Sequence, residues 1–299
     1  MTADSRPAAP TLLGQNQYGK AENRVVRVVR DGATHRIKDL NVSVALSGEM
    51  DAVHYSGSNA NVLPTDTTKN TVFAFAKEHG IESAESFGIH LARHFVTSQE
   101  QIHRARIRIE EYGWERIGAT GHSFARTGQE TRTTEIAFDG ERFQVISGLK
   151  DLVVLNSTDS EFWGFAKDAY TTLKETHERI LATEVTARWR FSWTGDGRPP
   201  AWEESYAQVR GDLLEAFAGT YSLSLQQSLY AMGSRVIEHH AGVDEVRLSL
   251  PNKHHFLVDL EPFGLKNDNE VYFAADRPYG LIEGTVLREG AEARIPVTD

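Results

Sequence analysis

The stretch SLPNKHHFLVDL, Ser249–Leu260, places an amide, an amine and two imidazoles (Asn252, Lys253, His254 and His255) between apolar residues. Imidazole titrates near neutral pH, so these residue types suit acid–base work or metal ligation. Spacing separates the two. Adjacent strand residues point to opposite faces, so His254 and His255 are poorly placed to share a metal. Asn252 and His254, two apart on a strand, face one side and can look into one pocket, with His255 pointing away. The other histidine pairs say less. His90 and His94 stand at i, i+4 on a predicted helix, but no Glu follows His90. The H-E-x-x-H pattern therefore fails, and a solvated helix face is expected. His239-His240 ends a predicted helix, where positive charge suits the dipole and capping is the expected role. GHSFA, Gly121–Ala125, ends in Ala where the serine-elbow pattern needs Gly, and it lacks the strand–turn–helix context.

The surrounding sequence supplies elements to hold such residues. ENRVVRVVR and THRIKDLNVSVAL read as two strands joined at DGAT, a hairpin signal. Two helical stretches follow, TKNTVFAFAKEHG with Gly80 at its end and SAESFGIHLARHFV. In HRARIRIEEYGWERI, Ala105, Ile107 and Ile109 share one face and Arg104, Arg106 and Arg108 the other. TRTTEIAFDGERFQVISGLKDLVVLNS reads as strand, turn at Asp139-Gly140, strand. VTARWRFSW alternates, with Val185, Ala187, Trp189, Phe191 and Trp193 on one face. Trp202, Tyr206, Val209, Leu213 and Phe217 then recur at helical spacing. A second helix starts at Ser224, where SLQQ fits a capping box from Ser224 to Gln227. Leu225, Leu229, Met232 and Val236 form its apolar stripe. VDEVRLSLPNKHHFLVDL and NEVYFAADRPYGLIEGTVLR are two further strand candidates. Strand–strand–helix–helix–strand–strand thus occurs twice, predicting an α+β chain of antiparallel sheets with helices on one face. The expected division is a flexible tail over 1–14, a first unit over 15–139 and a second over 140–299 with a loose C-terminal end.

Composition bounds the chemistry. The 299 residues carry a formal charge of −10, against the basic balance of a nucleic-acid scaffold, though one arginine pocket can still oppose that field locally. No run of residues is apolar and long enough to span a membrane. Cysteine is absent, which removes disulfides, thiolate metal sites and a cysteine nucleophile. The start is not a signal peptide and the end is not a Ser-Lys-Leu address, so a cytoplasmic, bacterial setting is expected.

The segments QYGK, PTDTTKNTV, EEYGWERI, STDSEFWGFAKDAYTTLKETHERILATEV and SLPNKHHFLVDL, in this order, resemble the urate oxidases, or uricases. The resemblance runs from GQNQYGKAENRVVRV to DRPYGLIEGTV. It implies two tandem tunnelling-fold (T-fold) units that assemble as a homotetramer around a barrel-like tunnel, with active sites between subunits. It also implies an oxidoreductase without metal, flavin or haem, which converts urate, dioxygen and water to 5-hydroxyisourate and hydrogen peroxide.

Urate is a flat anion, and its site needs an aromatic face, a cationic fork, an amide and a base. By resemblance, Phe162 stacks on the ring and Arg179 pairs with a ring oxygen and nitrogen, as its planar fork allows. Gln226 reads the opposite edge. Leu225 offers its backbone N–H at the start of a capped helix, where such groups lack partners and an anion is welcome. Lys20 and Thr65 match the family's catalytic pair, contributed by different subunits. A lysine serves as base only where burial and nearby cations depress its pKa. Asp66 helps hold substrate through its backbone N–H, Asn252 positions dioxygen or water, and His254 completes the proton relay. Pro64 and Leu225 are mild departures from the family pattern; Pro64 should push the loop before Thr65 toward extended geometry. Two other readings use the same residues. A metal-dependent pterin or purine enzyme on this fold would need a convergent histidine cluster. A non-catalytic purine binder would keep the clamp without the base.

Overall fold

A computed structural model describes residues 11–275 and 277–297. The first ten residues of the expected N-terminal tail lie outside the described residues, as do residues 298 and 299. The first unit comprises β1 (Tyr18–Asp31), β2 (Thr34–Gly48), α1 (Asp51–Ser56), α2 (Thr65–Glu78), α3 (Ala84–Thr97), β3 (Ile102–Tyr112), the short hairpin β4 (Trp114–Arg116) and β5 (Phe124–Arg126), and β6 (Thr131–Phe138). The second comprises β7 (Phe143–Asn156), β8 (Leu181–Phe191), α4 (Trp202–Gly219), α5 (Leu225–His239), β9 (Val243–Pro251), β10 (His254–Leu257), β11 (Tyr272–Ala275) and β12 (Leu281–Leu287). The doubled order read from sequence is therefore present. GHSFA falls in the loop and second strand of the β4–β5 hairpin, so no serine elbow forms there.

All eight long strands form one antiparallel sheet in the order β1-β2-β3-β6-β7-β8-β9-β12, which leaves β1 and β12 as open edges. Period-2 patterning sets its two faces. Leu40, Val42, Val44, Leu46, Ala105, Ile107, Ile109, Val185, Ala187, Trp189, Leu248 and Leu250 are buried on one face. Helices α2 and α3 cover this face at β1, β3 and β6; α4 and α5 cover it at β7, β9 and β12. Burial of each Leu, Ile or Val side chain there contributes roughly 1.5–3 kcal/mol. The opposite face carries Arg104, Arg106 and Arg108 as expected, and Arg108 Nε donates to Glu135 Oε2 at 2.9 Å.

Helix α5 sits unusually close to the sheet. A Cβ on Gly233 would lie 2.5 Å from Val286 Cγ2, so only glycine admits the approach that fixes this helix against β12. His240 is the C-cap residue of α5, its N–H donating to Val236 O at 3.0 Å, and His239 lies in the last turn, as expected, but the side chains have a further partner. Their rings meet the Asp212 carboxylate of α4 at 2.7 and 2.8 Å, because Arg288 takes the helix-end carbonyls of Ile237 and His240. His90 is exposed, as a solvated face expects, with its ring 5.6 Å from His79; His94 is half-buried, its ring 4.8 Å from Phe75 of α2. The C-terminal end is not loose up to residue 297. The backbone N–H groups of Arg294 and Ile295 donate to the fully buried Glu245 carboxylate at 2.8 and 3.0 Å, and Arg188 holds the Pro296 carbonyl at 3.1 Å.

Candidate active site

At the β8–β9 end of the helical face, a cavity of about 820 Å³ is bordered by Phe162, Arg179, Leu225, Gln226, Asn252 and His254 together. Phe162 and Arg179 come from the long segment between β7 and β8, which has no helix. Arg179 therefore sits on no helix and has no carboxylate partner among the described residues. Two-way backbone bonds between Phe162 and Thr176, at 2.8 and 3.0 Å, fold the segment back on itself. This doubling puts Arg179 Cζ 5.3 Å from the centre of the Phe162 ring. Phe165, three residues on, stacks on Phe162 at 5.0 Å. Arg179 Nε donates to Ser160 Oγ at 3.0 Å, and its two terminal nitrogens have no hydrogen-bond or carboxylate partner among the described residues. Burial alone lowers the Arg179 pKa, with no anion beside it to compensate. A half-buried, unpaired guanidinium over an aromatic ring is a receptor for a flat anion.

The amide side is built by α5. Ser224 Oγ accepts from Gln227 N at 3.2 Å, as the N-cap reading expects. The expected capping box is only half present, because Gln227 Oε1 accepts from Leu223 N instead of Ser224 N. The N–H groups of Leu225 and Gln226 face no acceptor among the described residues, as a first helical turn allows. Leu225 is itself buried and seats the turn in the core.

SLPNKHHFLVDL is not one strand. β9 stops at Pro251, and the chain then crosses to β8. Lys253 N donates to Ala182 O and Asn252 N to Gly280 O, both at 2.8 Å. The fully buried Thr183 pins this corner through the Pro251 carbonyl at 2.9 Å. Beyond it, β10 pairs only with β11 in a separate ribbon. Asn252 and His254 still border the same cavity, through this corner and not through strand alternation. His255 does not point away as expected. It borders the cavity too, with Nδ1 2.9 Å from the Lys253 carbonyl. Lys253 is tied to Glu184 at 2.9 Å. Burial, then the Arg179 charge, then His255 lower the His254 pKa, which keeps this imidazole neutral at pH 7. Among the described residues, no three His, Asp or Glu side chains converge as metal ligands would.

Lys20, Thr65 and Asp66 form a second group elsewhere. A bulge at Ala21–Glu22, with Glu22 at φ 58°, puts Lys20 opposite Val44 and hence on the helical face. Asn23 fills the bulge, donating to the Val42 and Lys20 carbonyls at 3.1 and 3.4 Å. Gly19 is required beside it, since a Cβ would lie 1.8 Å from Val44 O. Thr65 and Asp66 open α2 behind Pro64, whose ψ of 139° is extended as expected and which supplies no side-chain cap. Lys69 and Asn70 engage the Asp66 carboxylate, and Lys69 chiefly lowers its pKa, with Lys20 adding a smaller pull. That leaves the Asp66 backbone N–H exposed at a helix start. The Tyr18 hydroxyl, unmentioned by the sequence reading, accepts from Leu63 N at 3.0 Å and anchors the loop before Thr65.

The two groups do not meet within one chain. From β1 to β8 the sheet takes five steps. At about 4.8 Å each, that separates Lys20 from the cavity by roughly 24 Å.

The sequence matches the uricase family model over residues 16–137 and 145–283, one segment in each unit. A uricase of Arthrobacter globiformis is 49% identical over 99% of this chain and 96% of its own. A uricase of Oryctolagus cuniculus is 38% identical, covering 91% of this chain and 93% of its own. The crystal structure of the Arthrobacter globiformis uricase superimposes with a TM-score of 0.92 at 50% identity, over 96% of this chain and 99% of that one. A Bacillus fastidious uricase structure shares the fold at TM-score 0.77 and 20% identity, over 92% and 94% of the two chains. The fold is thus α+β with two tandem T-fold units. With both units matched and relatives aligned over nearly their whole length, this chain belongs to the uricase family.

Proposed function

We propose that the chain is a cofactor-independent urate oxidase. It takes urate, dioxygen and water to 5-hydroxyisourate and hydrogen peroxide. The observation that carries the reading is Arg179, a partly desolvated guanidinium with no anionic partner among the described residues, lying over Phe162 and sharing its cavity with Gln226. Urate, anionic at neutral pH, stacks on Phe162. The Arg179 fork binds an oxygen and a nitrogen of one edge, while Gln226 and the Leu225 N–H take the other edge. Neutral His254 and the Asn252 amide then stand beside the bound purine. Asn252 holds dioxygen or the attacking water, and His254 links to the base.

Lys20 and Thr65 provide that base from a neighbouring chain, with Asp66 contributing its N–H. Support comes from the roughly 24 Å between the two groups in one chain and from the open edges at β1 and β12. Pairing of such edges between chains closes the sheets into a tunnel. A homotetramer built this way completes every site. Two electrons pass from deprotonated urate to dioxygen, and the protein supplies orientation and proton transfer. The units divide at Asp139-Gly140, 15–139 and 140–299, and the setting is a bacterial cytoplasm.

The purified chain tests this directly. Loss of urate absorbance with stoichiometric peroxide release is expected. Urate binding without oxygen consumption would identify a binder instead.

A further inference from the structure

We propose that Ser160 and Ser222 are positioning residues of the urate clamp, a reading that rests on urate lying between Arg179 and Gln226. Ser160 is 1% exposed and bonds Arg179 twice: its carbonyl accepts from Arg179 N at 2.9 Å and its hydroxyl accepts from Arg179 Nε at 3.0 Å. A guanidinium fixed at Nε can no longer rotate freely, and its two terminal nitrogens, without a partner among the described residues, are left for a ligand in the cavity that Arg179 borders. The fork is thereby oriented before any anion arrives, which reduces the ordering cost of binding.

Ser222 continues the connection to the amide side. It pairs with Ser160 in a parallel bridge, with Glu161 N donating to Ser222 O at 2.8 Å and Ser222 N to Asp159 O at 2.9 Å. Its buried hydroxyl donates to the Ser224 carbonyl at 2.9 Å and accepts from Ser228 Oγ at 2.8 Å. Ser224 is the N-cap of α5, two residues before Gln226. Arg179, Ser160, Ser222 and Ser224 therefore form one hydrogen-bonded strut between the two ends of the clamp. Its length sets the span a purine must fit. A hydroxyl buried this deeply and bonded on both sides is costly to leave unsatisfied, so the strut is rigid.

The test is a double-mutant cycle on urate kinetics with Ser160→Ala, Arg179→Gln and the pair. Ser160→Ala is expected to raise KM for urate about tenfold with kcat within about twofold, the scale of one bond to a charged group. In the Arg179→Gln background the same change should raise KM less than about twofold. Ser160→Thr, which keeps the acceptor, should restore most of the affinity, and Ser222→Ala should raise KM in the same way. Equal KM increases in both backgrounds would overturn the proposal while leaving the clamp intact. Unchanged KM in Arg179→Gln alone would instead overturn the clamp reading. Should the alanine variant not fold, Ser160→Cys keeps the volume and weakens the acceptor. A wild-type KM in that variant also overturns the proposal.

Discussion

At the scale of single residues, two environments divide the chemistry. Arg179 and His254 share a partly desolvated cavity, where burial lowers both pKa values and leaves a cation without a partner beside a neutral imidazole. Lys20 and Thr65 stand apart, at a bulged edge strand and a helix start. If Lys20 is the base and Thr65 its relay, Lys20→Ala and Thr65→Ala each lower kcat by about a hundredfold or more. Affinity for an unreactive xanthine, which the proposed clamp of Arg179 and Gln226 would hold, should change little. Near-normal turnover in either variant would remove the base assignment. Much of this was legible in the residues. Asn252 and His254 were placed in one pocket from a spacing of two, and Gln226 on a capped helix start from SLQQ. Strand alternation does not account for the first pair, because contacts of Pro251, Asn252 and Lys253 with Thr183 and with the Gly280 and Ala182 carbonyls turn the chain at this corner. His255 was misplaced for the same cause. Ser160 lay inside the STDSEFWGF stretch, yet nothing in one sequence shows that a serine 19 residues away orients Arg179.

At the scale of elements, buried charge fixes how helices meet the sheet. Glu85 of α3 is fully buried and accepts from Arg132 Nη2 at 2.7 Å, Ser147 Oγ at 2.5 Å and Thr134 Oγ1 at 3.2 Å. Arg132 also reaches Glu203 of α4 at 2.8 Å, so a single guanidinium joins the helices of the two units through β6. Arg132→Met leaves the buried Glu85 without its cation. A loss of about 3–5 kcal/mol is expected, measured by urea unfolding. A loss below about 1 kcal/mol would show that the hydroxyls alone satisfy Glu85.

A second expectation concerns α3 against α2. Burial, then the nearby His79, lowers the pKa of His94, and the same causes act on His90. In the unfolded chain both return to about 6.5. As pH falls below that value the unfolded chain gains protons that the folded chain resists. Stability present above pH about 6.5 is therefore lost progressively on acidification, until the folded pKa values are passed. Melting temperature should decline from pH 7 toward pH 5, and His94→Gln should flatten the decline. The period-2 and 3.6-residue patterns predicted these elements well, because each has one apolar face. They could not predict that His239 and His240 turn to Asp212 of α4, nor that the C-terminal end docks on Glu245. Both depend on contacts between residues distant in sequence.

At the scale of the whole molecule, one sheet carries the Lys20 group and the Arg179 cavity at well-separated strands and, among the described residues, leaves its two outer strands unpaired. In the proposed assembly, a single copy holds the parts of two incomplete sites. The doubled element order was readable from the sequence, whereas the separation of Lys20 from Arg179 needed the strand order. Complementation tests the account most directly. Lys20→Ala chains, slow in turnover, and Arg179→Gln chains, held at urate well below their raised KM, are unfolded together, refolded as a mixture and assayed for urate oxidation. If every site joins Lys20 of one chain to Arg179 of another, random assembly leaves about a quarter of the sites with both wild-type groups. Activity should then return to about that fraction of the wild type. A mixture as inactive as its components, although shown to co-assemble, would contradict a site shared between chains.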